Sequence, residues 1–271
     1  MMKNKYSVTI SRSLNKSFKS PLLAKFLKAI DEYKLIDKGD KICVALSGGK
    51  DSLLLAALFE EYKVHFNNNI EIVYLTMNSG FTKEFLENHI KNLNLIGVES
   101  EIVESQVYEI ANKMDPKSPC FLCARMRRGF LYDHAKELGC NKLALGHHFD
   151  DVIETTLMNM FYTGTFKTML PKARSKNFER LELIRPMYLI KEQEVERFMK
   201  YHNIKFVSKG CAFQDRNEDS KRKEMKVLIQ QLRNTYKNID INIFRSAENI
   251  NLDAVLGYYD NTKRVCFLDE Y

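Results

Sequence analysis

The sequence predicts an α/β fold, in which a parallel sheet is covered by helices on both faces. Strand-like runs recur at residues 41–46, 70–76, 100–103 and 142–145, and helical patterns lie between them, near 51–66, 83–96, 122–138 and 149–161. Strands that alternate with helices are typical of parallel sheets. The first strand also leads through a glycine turn directly into a helix, the arrangement that presents free backbone N–H groups to an anion.

The segments outside this alternation are predicted to be mostly helical. Apolar residues at three- and four-residue spacing over 22–33 predict an amphipathic helix. The charged, proline-containing region 163–190 indicates a long connection, with a further strand beginning near Leu183. Two more helices are predicted over 191–202 and 217–237. The predicted parts are an N-terminal arm and helix, a Rossmann-like domain and a helical C-terminal extension, at 1–36, 37–190 and 191–271.

Composition and charge narrow the function classes. The chain is 45% apolar and 28% charged, as expected of a globular protein, and no apolar run is long enough to cross a bilayer. Residues 1–28 carry seven basic side chains and no acidic one, which equals the whole net charge of +7. This segment fits a nucleic-acid-binding arm, a mitochondrial presequence or a solvated tail. Since no secretory h-region is visible, we expect a cytoplasmic protein that does not bind membranes.

The most informative motif follows the first strand and reads Ser47-Gly48-Gly49-Lys50-Asp51-Ser52. The glycines let the backbone approach a phosphate, the lysine adds a cation, the aspartate can hold magnesium, and the serines can donate to phosphate oxygens. The spacing differs from that of a Walker A loop. It resembles the PP-loop of ATP pyrophosphatases, which cut ATP between the α- and β-phosphates. The alternative is an ordinary tight turn between a strand and a helix.

Two further segments are predicted to line the same crevice, because ligands of such sheets bind at the carboxyl ends of the strands. Met77 lies in the turn after the second strand, and Gly146 follows the fourth strand. Asp150 and Asp151 then begin a helix. Both aspartates can be helix caps, and either can hold magnesium beside phosphates.

Six cysteines without an export signal are expected to be reduced. We expect Cys43 to pack in the core and Cys140 and Cys266 to be isolated structural residues. The remaining three, Cys120, Cys123 and Cys211, leave three interpretations open. These are a redox disulfide, a zinc site completed by a histidine, and an iron–sulfur cluster whose fourth iron has no protein ligand.

Taken together, the motifs resemble the tRNA 2-thiocytidine synthetase family, a branch of the PP-loop tRNA thiolases. The match extends from about Phe26 to about Leu232. Besides the phosphate loop it includes the runs Cys120-Phe121-Leu122-Cys123, Arg125-Met126-Arg127-Arg128-Gly129, Leu145-Gly146-His147-His148-Phe149-Asp150-Asp151, Asn159-Met160-Phe161-Tyr162 and Ile184-Arg185-Pro186, and the downstream Cys211.

The resemblance implies an ATP- and Mg²⁺-dependent enzyme that carries a 4Fe–4S cluster on Cys120, Cys123 and Cys211. It would adenylate the C2 carbonyl of a cytidine, at position 32 of the tRNA anticodon loop, and exchange the oxygen for sulfur. Asp51 and Asp151 would hold the magnesium. ATP would be bound by Ser47, Gly48, Gly49, Lys50, Asp51, Ser52, Met77, Arg127 and Gly146.

The expected partners are tRNA, an upstream sulfur donor such as a cysteine desulfurase, and a second copy of the chain in a homodimer. Basic clusters at 125–128, 172–174 and 221–223 can contact phosphate, although each can also be a solvated face. Three alternatives remain at this stage: a sulfurtransferase for a different base, a PP-loop ligase related to lysidine synthases, and a non-catalytic RNA-binding protein.

Overall fold

The computed structural model describes residues 5–66, 69–116, 119–175, 181–207, 219–260 and 263–269. The chain forms two compact units. The first unit contains Met1–Val152 and Leu170–Ser220, and the second contains Ile153–Met169 and Lys221–Tyr271. The three-part division expected from the sequence stays a prediction.

A six-stranded sheet, counted over the described residues, is the centre of the first unit. Its strands are β1 Lys41–Leu46, β2 Glu71–Asn78, β3 Glu101–Glu104, β4 Lys142–Ala144, β5 Lys172–Arg174 and β6 Glu182–Ile184, in the spatial order β3-β2-β1-β4-β6-β5. The pairs β1–β2, β1–β4, β2–β3 and β4–β6 are parallel, which confirms the predicted sheet. Strand β5 was not predicted and pairs antiparallel with β6. Its three residues include two charged ones, which suit an exposed edge strand but carry no strand pattern.

Helices surround this sheet, and further helices lie in the second unit. They are α1 Lys5–Asn15, α2 Ala24–Glu32, α3 Lys50–His65, α4 Lys83–Ile96, α5 Val107–Met114, α6 Pro119–Glu137, α7 Phe149–Thr163, α8 Glu192–Tyr201, α9 Asp219–Thr235 and α10 Ile239–Ser246. No helix among the described residues is long and apolar enough to cross a membrane. The C-terminal region is not wholly helical, because β7 Gly257–Asp260 and β8 Lys263–Cys266 form an antiparallel hairpin.

The N-terminal segment is folded from Lys5 onward. Helix α1 buries Ile10 and Leu14, which are four residues apart and therefore lie on one face. Polar contacts fix the helix as well: Ser13 Oγ lies 2.7 Å from His202 Nε2, and Asn15 Nδ2 donates to the buried Glu61 carboxylate at 2.7 Å. Of the basic side chains in this segment, Lys5 and Arg12 are carried by this packed helix, and both are exposed.

The core explains why β1 and the helix after it have almost uninterrupted apolar sequences. Five of the six β1 residues are buried, and α3 is buried from Ser52 to Phe59. A central parallel strand and the helix that covers it have no face exposed to solvent, so their sequences do not alternate between apolar and polar residues. Cys43 and Cys140 lie in one core cluster. Cys43 is thus a core residue, as predicted, but the prediction that Cys140 is isolated was wrong. A hydrogen bond to Cys140, together with burial, raises the pKa of the Cys43 thiol well above its usual range.

Charged residues join the amino ends of several strands. The Lys142 side chain, 4% exposed, places Nζ 2.5 Å from Glu182 Oε2 and 3.7 Å from Asp40 Oδ2. Lys172 Nζ lies 3.1 Å from the same Glu182 oxygen. Burial alone would raise the pKa of Glu182, but hydrogen bonds and charge from Lys142 and Lys172 lower it to about 2. The ionised glutamate therefore holds β4, β5 and β6 together.

We predict that the Glu182 carboxylate stabilises the fold above pH 4.5 and that this contribution is lost as the pH falls toward 2. A group whose folded pKa is depressed stabilises the protein only while it is ionised. Glu182→Gln should therefore lower the free energy of unfolding by about 2 kcal/mol near pH 6, and the difference should shrink toward pH 2. Urea denaturation across this pH range measures it.

Glu71→Gln is the matched control for this experiment. Glu71 pairs with Lys41 across β1 and β2, but its side chain is 73% exposed, so we expect little change. Equal effects of the two substitutions at pH 6 would contradict the special role of Glu182.

Candidate active site

A tight turn connects β1 to α3 and requires a glycine at its second position. Gly48 has φ +80°, a left-handed conformation that side chains rarely adopt, and a Cβ there would meet the Phe85 ring at 2.6 Å. Gly49 is the N-cap of α3 and provides no side-chain acceptor for the amides of the first helical turn. These amides and the positive end of the helix dipole favour an anion at this position.

The two serines of the motif brace the turn against itself. Ser52 Oγ donates to the Gly49 carbonyl at 3.0 Å and accepts from the Ser47 amide at 3.2 Å. Ser47 Oγ in turn donates to Ser52 Oγ at 3.2 Å. The loop thus has a defined shape, and its hydroxyls lie beside the helix N-terminus.

Lys50 is held between two carboxylates. Its Nζ lies 3.1 Å from Asp51 Oδ2 and 3.1 Å from Glu192 Oε1, the latter at the start of α8. Burial alone would lower the pKa of Lys50, but the negative charges of Asp51 and Glu192 outweigh it and raise the pKa. The lysine is therefore a stable cation at the mouth of the phosphate loop.

Gly146 brings the end of β4 against the first turn of α3. A Cβ at this position would lie 3.1 Å from the backbone carbon of Asp51 and 3.2 Å from the Ser52 nitrogen. Because the neighbouring atoms are backbone, they cannot rotate out of the way as a side chain would. The absence of a side chain at Gly146 is what lets the end of β4 meet the first turn of α3.

His148 links the two aspartates that were predicted to bind magnesium. The His148 amide donates to Asp151 Oδ2 at 2.9 Å, and the Asp151 amide donates to His148 Nδ1 at 3.4 Å, a reciprocal capping arrangement at the start of α7. The other ring nitrogen, Nε2, is 3.7 Å from Asp51 Oδ1. Asp51 and Asp151 therefore flank one imidazole.

Asp150 has a different role from its neighbour. Its Oδ2 accepts from the Glu192 amide at 2.7 Å and so caps the N-terminus of α8. This bond also fixes Glu192 where its carboxylate meets Lys50. Sequence reasoning had left open which aspartate was a cap, and both take part in capping.

A cavity of about 310 Å³ opens beside these groups. It is lined by Ala45, Leu46, Ser47, Asp51, Ser52, Met77, Arg127, Leu131, Leu145, Gly146, His147 and Asp151. Six of the nine predicted ATP-binding residues, together with Asp151 of the predicted magnesium pair, are thereby brought to one cavity. Lys50, Gly48 and Gly49 are not among the lining residues and lie at the adjoining helix N-terminus.

The three predicted cluster cysteines are only partly described. Cys123 is half-buried on α6, while the side chain of Cys120 and all of Cys211 lie outside the described part of the chain. Cys123 and Arg127 are four residues apart on α6 and therefore lie on one face of the helix, and Arg127 lines the cavity. Within the described ranges no three His, Cys, Asp or Glu side chains could together hold a metal. Metal ligation by Asp51, Asp151 and the cysteines stays a prediction.

Sequence reasoning missed two charged residues near the site. Glu192 lies far along the chain from Lys50, and no motif marks it. Arg185 is largely buried, and burial, with a smaller effect of Arg128, lowers its pKa to about 10, although Asp151 and two tyrosines act in the opposite direction. It remains protonated at neutral pH. The Ile184-Arg185-Pro186 run was the available signal for it.

Known proteins resemble this chain over most of its length. The PP-loop domain family matches residues 15–222. The tRNA-cytidine(32) 2-sulfurtransferase of Syntrophotalea carbinolica is 35% identical over 84% of this chain and 90% of its own length. The tRNA-cytidine(32) 2-sulfurtransferase 1 of Francisella tularensis subsp. tularensis is 36% identical over 89% of this chain and 90% of its own.

A solved structure agrees with these relatives. The U34-tRNA thiolase NcsA of Methanococcus maripaludis, determined with its 4Fe–4S cluster, superimposes with a TM-score of 0.67 and 25% identity, covering 83% of this chain and 76% of the thiolase. The glycine turn, the cavity at the strand ends and these matches lead to one assignment. The chain belongs to the PP-loop family, among the relatives of the tRNA-cytidine(32) 2-sulfurtransferases.

Proposed function

We propose that this protein is an ATP-dependent tRNA sulfurtransferase that replaces the C2 oxygen of a cytidine, at position 32 of the anticodon loop, with sulfur. The observation that carries the proposal is that one cavity is lined both by the phosphate-loop residues Ser47 and Asp51 and by Arg127, which lies on the same helix as Cys123. The names of the relatives support the same substrate. We place the activity in the cytoplasm.

The phosphate loop is the activating half of the proposed site. ATP phosphates would accept from the first amides of α3 and from the Ser47 and Ser52 hydroxyls, and Lys50 would exchange a carboxylate partner for a phosphate oxygen. Asp51 and Asp151 supply the hard oxygen ligands that Mg²⁺ prefers, and both line the cavity. Met77 and Gly146 would border the nucleotide.

Adenylation suits the chemistry of the target. A pyrimidine carbonyl is a poor electrophile, and transfer of AMP to its oxygen, with release of pyrophosphate, creates a good leaving group. A soft sulfur nucleophile can then displace AMP at C2. Arg127, on the cavity wall, would stabilise the negative charge of the phosphates during both steps.

The sulfur half would lie on α6. Cys120, Cys123 and Cys211 would hold the 4Fe–4S cluster, which supplies the sulfur when bound. The residues near Cys123 suit such a cluster, because Arg125, Arg127 and Arg128 follow it and positive charge favours thiolate ligands. An upstream sulfur donor such as a cysteine desulfurase would replenish the sulfur, and we propose that the enzyme acts as a homodimer.

We predict that tRNA from a strain lacking this protein contains no 2-thiocytidine, and that expression of the chain restores it. Mass spectrometry of tRNA nucleosides measures both. The solved thiolase NcsA is named for uridine 34, so loss of a 2-thiouridine with 2-thiocytidine unchanged would assign this chain to another base. An unchanged nucleoside profile would refute thiolation altogether.

The two halves of the site should be separable by substitution. Cys123→Ala should reduce 2-thiocytidine formation at least a hundredfold, while tRNA-dependent release of pyrophosphate from ATP persists, because the phosphate loop is untouched. Cys266→Ala, at a half-buried cysteine in β8, is the control and should change neither rate. Full thiolation by Cys123→Ala would contradict a role in sulfur transfer and favour a ligase without a metal centre.

Glu192 should weaken ATP binding by competing for Lys50. The phosphates must displace a carboxylate that lies 3.1 Å from Nζ and repels them, so Glu192→Gln should lower the Kd for ATP by roughly three- to tenfold. Equilibrium dialysis measures the constant. Glu194→Gln, on the same turn but paired with Arg197, should leave it unchanged. Weaker ATP binding by Glu192→Gln would contradict this competition and assign Glu192 to the nucleotide site.

A further inference from the structure

We propose that an exposed aromatic patch in the second unit binds unpaired nucleotides of the substrate RNA by stacking, an inference that rests on the proposed function for the choice of RNA as partner. The aromatic patch consists of Met160, Phe161, Tyr162 and Phe166. It includes most of the Asn159–Tyr162 run, to which the chemistry of the cavity assigns no role.

The apolar side chains of the patch face solvent. Phe161 is 56% exposed, Phe166 42%, Met160 41% and Tyr162 39%, all within seven consecutive residues. Single exposed apolar residues are ordinary, but four of them in so short a stretch indicate a binding surface. Aromatic rings are also the side chains that stack on unpaired bases.

Hydrogen bonds hold the segment after α7 in a fixed turn. Thr163 Oγ1 and the Thr165 amide both donate to the Asn159 carbonyl, at 2.7 and 3.2 Å, around Gly164 with φ +61°. The Asn159 side chain then donates to the Lys167 carbonyl at 3.0 Å. Phe161 and Phe166 are therefore presented by an ordered backbone, which lowers the entropy lost on binding.

Helix α9 fixes Tyr162 and adds positive charge. The Tyr162 hydroxyl donates to the Glu224 carboxylate, and Lys221 Nζ lies 4.8 Å from the centroid of the Tyr162 ring. Arg222 Nε lies 3.7 Å from Glu154 Oε2, a second link between α9 and α7. Since Lys221 faces the Tyr162 ring, Phe161 and Phe166 are the rings we assign to base stacking.

The charge around the patch is complementary to phosphate. Residues 155–169 contain no acidic side chain, and residues 221–226 contain four basic ones and a single glutamate. That glutamate, Glu224, accepts from Tyr162. Lys167, Lys221 and Lys223 are exposed. Lysines neutralise a nucleic-acid backbone, whereas they are depleted at the centres of protein–protein interfaces, so RNA fits this surface better than a second protein.

Unpaired nucleotides fit better than a duplex. The bases of a paired helix are stacked on one another and offer no free faces, while those of a loop can be splayed onto side chains. Two phenylalanine rings flanked by lysines provide stacking together with phosphate contact, which is how proteins bind single strands without reading their sequence.

The test compares two RNA probes of equal length and charge, a hairpin with an unpaired loop and a blunt duplex, by fluorescence anisotropy. Phe161→Ala with Phe166→Ala should weaken hairpin binding by about tenfold or more and leave duplex binding unchanged. Phe161→Trp with Phe166→Trp should retain hairpin affinity. Tyr259→Ala is the control, because this ring is 74% exposed in the β7–β8 pair of the same unit and lies outside the aromatic patch. This variant should bind both probes as the parent protein does.

A second measurement addresses the charges. Lys221→Ala should reduce the slope of log K against log salt concentration for the hairpin by somewhat less than one. Thermal melting should be unchanged for every variant, because all substituted side chains are exposed. The single phenylalanine substitutions give the same comparison if the double variant does not fold.

Three results would overturn the inference. The first is an unchanged affinity of the double alanine variant for the RNA hairpin, and the second is an equal loss of affinity for hairpin and duplex. The third is a change of oligomeric state in sedimentation while RNA binding stays intact, which would make the patch an interface between copies of the chain. Binding is measured without ATP or sulfur. A protein that behaves as expected here yet forms no 2-thiocytidine would therefore refute the proposed reaction and leave the patch in place.

Discussion

The site depends on one backbone contact, the approach of the β4 end to the first turn of α3. At Gly146 the chain passes so close to Asp51 and Ser52 that a Cβ would lie about 3.1–3.2 Å from their backbone atoms. Parallel pairing of β1 with β4 sets this approach, because adjacent parallel strands end at the same edge. The His148 ring can reach both Asp51 and Asp151 only because these two segments are so close.

Charge balance follows from the same geometry. The carboxylates here bond to groups at helix termini. Asp151 accepts from an amide at the start of α7, Asp150 accepts from one at the start of α8, and the Glu192 carboxylate pairs with Lys50. Each acidic side chain therefore has a structural partner in the protein alone. In the reaction that we propose, a polyphosphate arriving with Mg²⁺ would exchange these partners: the cation would take the carboxylates, and Lys50 and the α3 amides would take the phosphates.

The parts predicted from sequence were those in which local pattern and tertiary environment agree. The apolar run before Ser47 could belong only to a buried strand, and the glycine turn fixed the edge at which the ligand binds. Helix α1 was not predicted because its basic residues and serines outweigh the stripe formed by Ile10 and Leu14. Strand β5 has three residues and follows from pairing with β6, not from its own pattern. Glu192 could not be found at all, since only the fold brings it to Lys50.

Environment distinguishes the cysteines better than spacing does. Cys43 and Cys140 are buried in one apolar cluster, where the hydrogen bond between them and burial keep the Cys43 thiol protonated. A protonated thiol is neither a nucleophile nor a metal ligand. Cys123, in contrast, is half-buried on a helix that carries Arg125, Arg127 and Arg128 within the next two turns. Helix α6 thus carries a cysteine close to a group of arginines, and it reaches the cavity through one of them, Arg127.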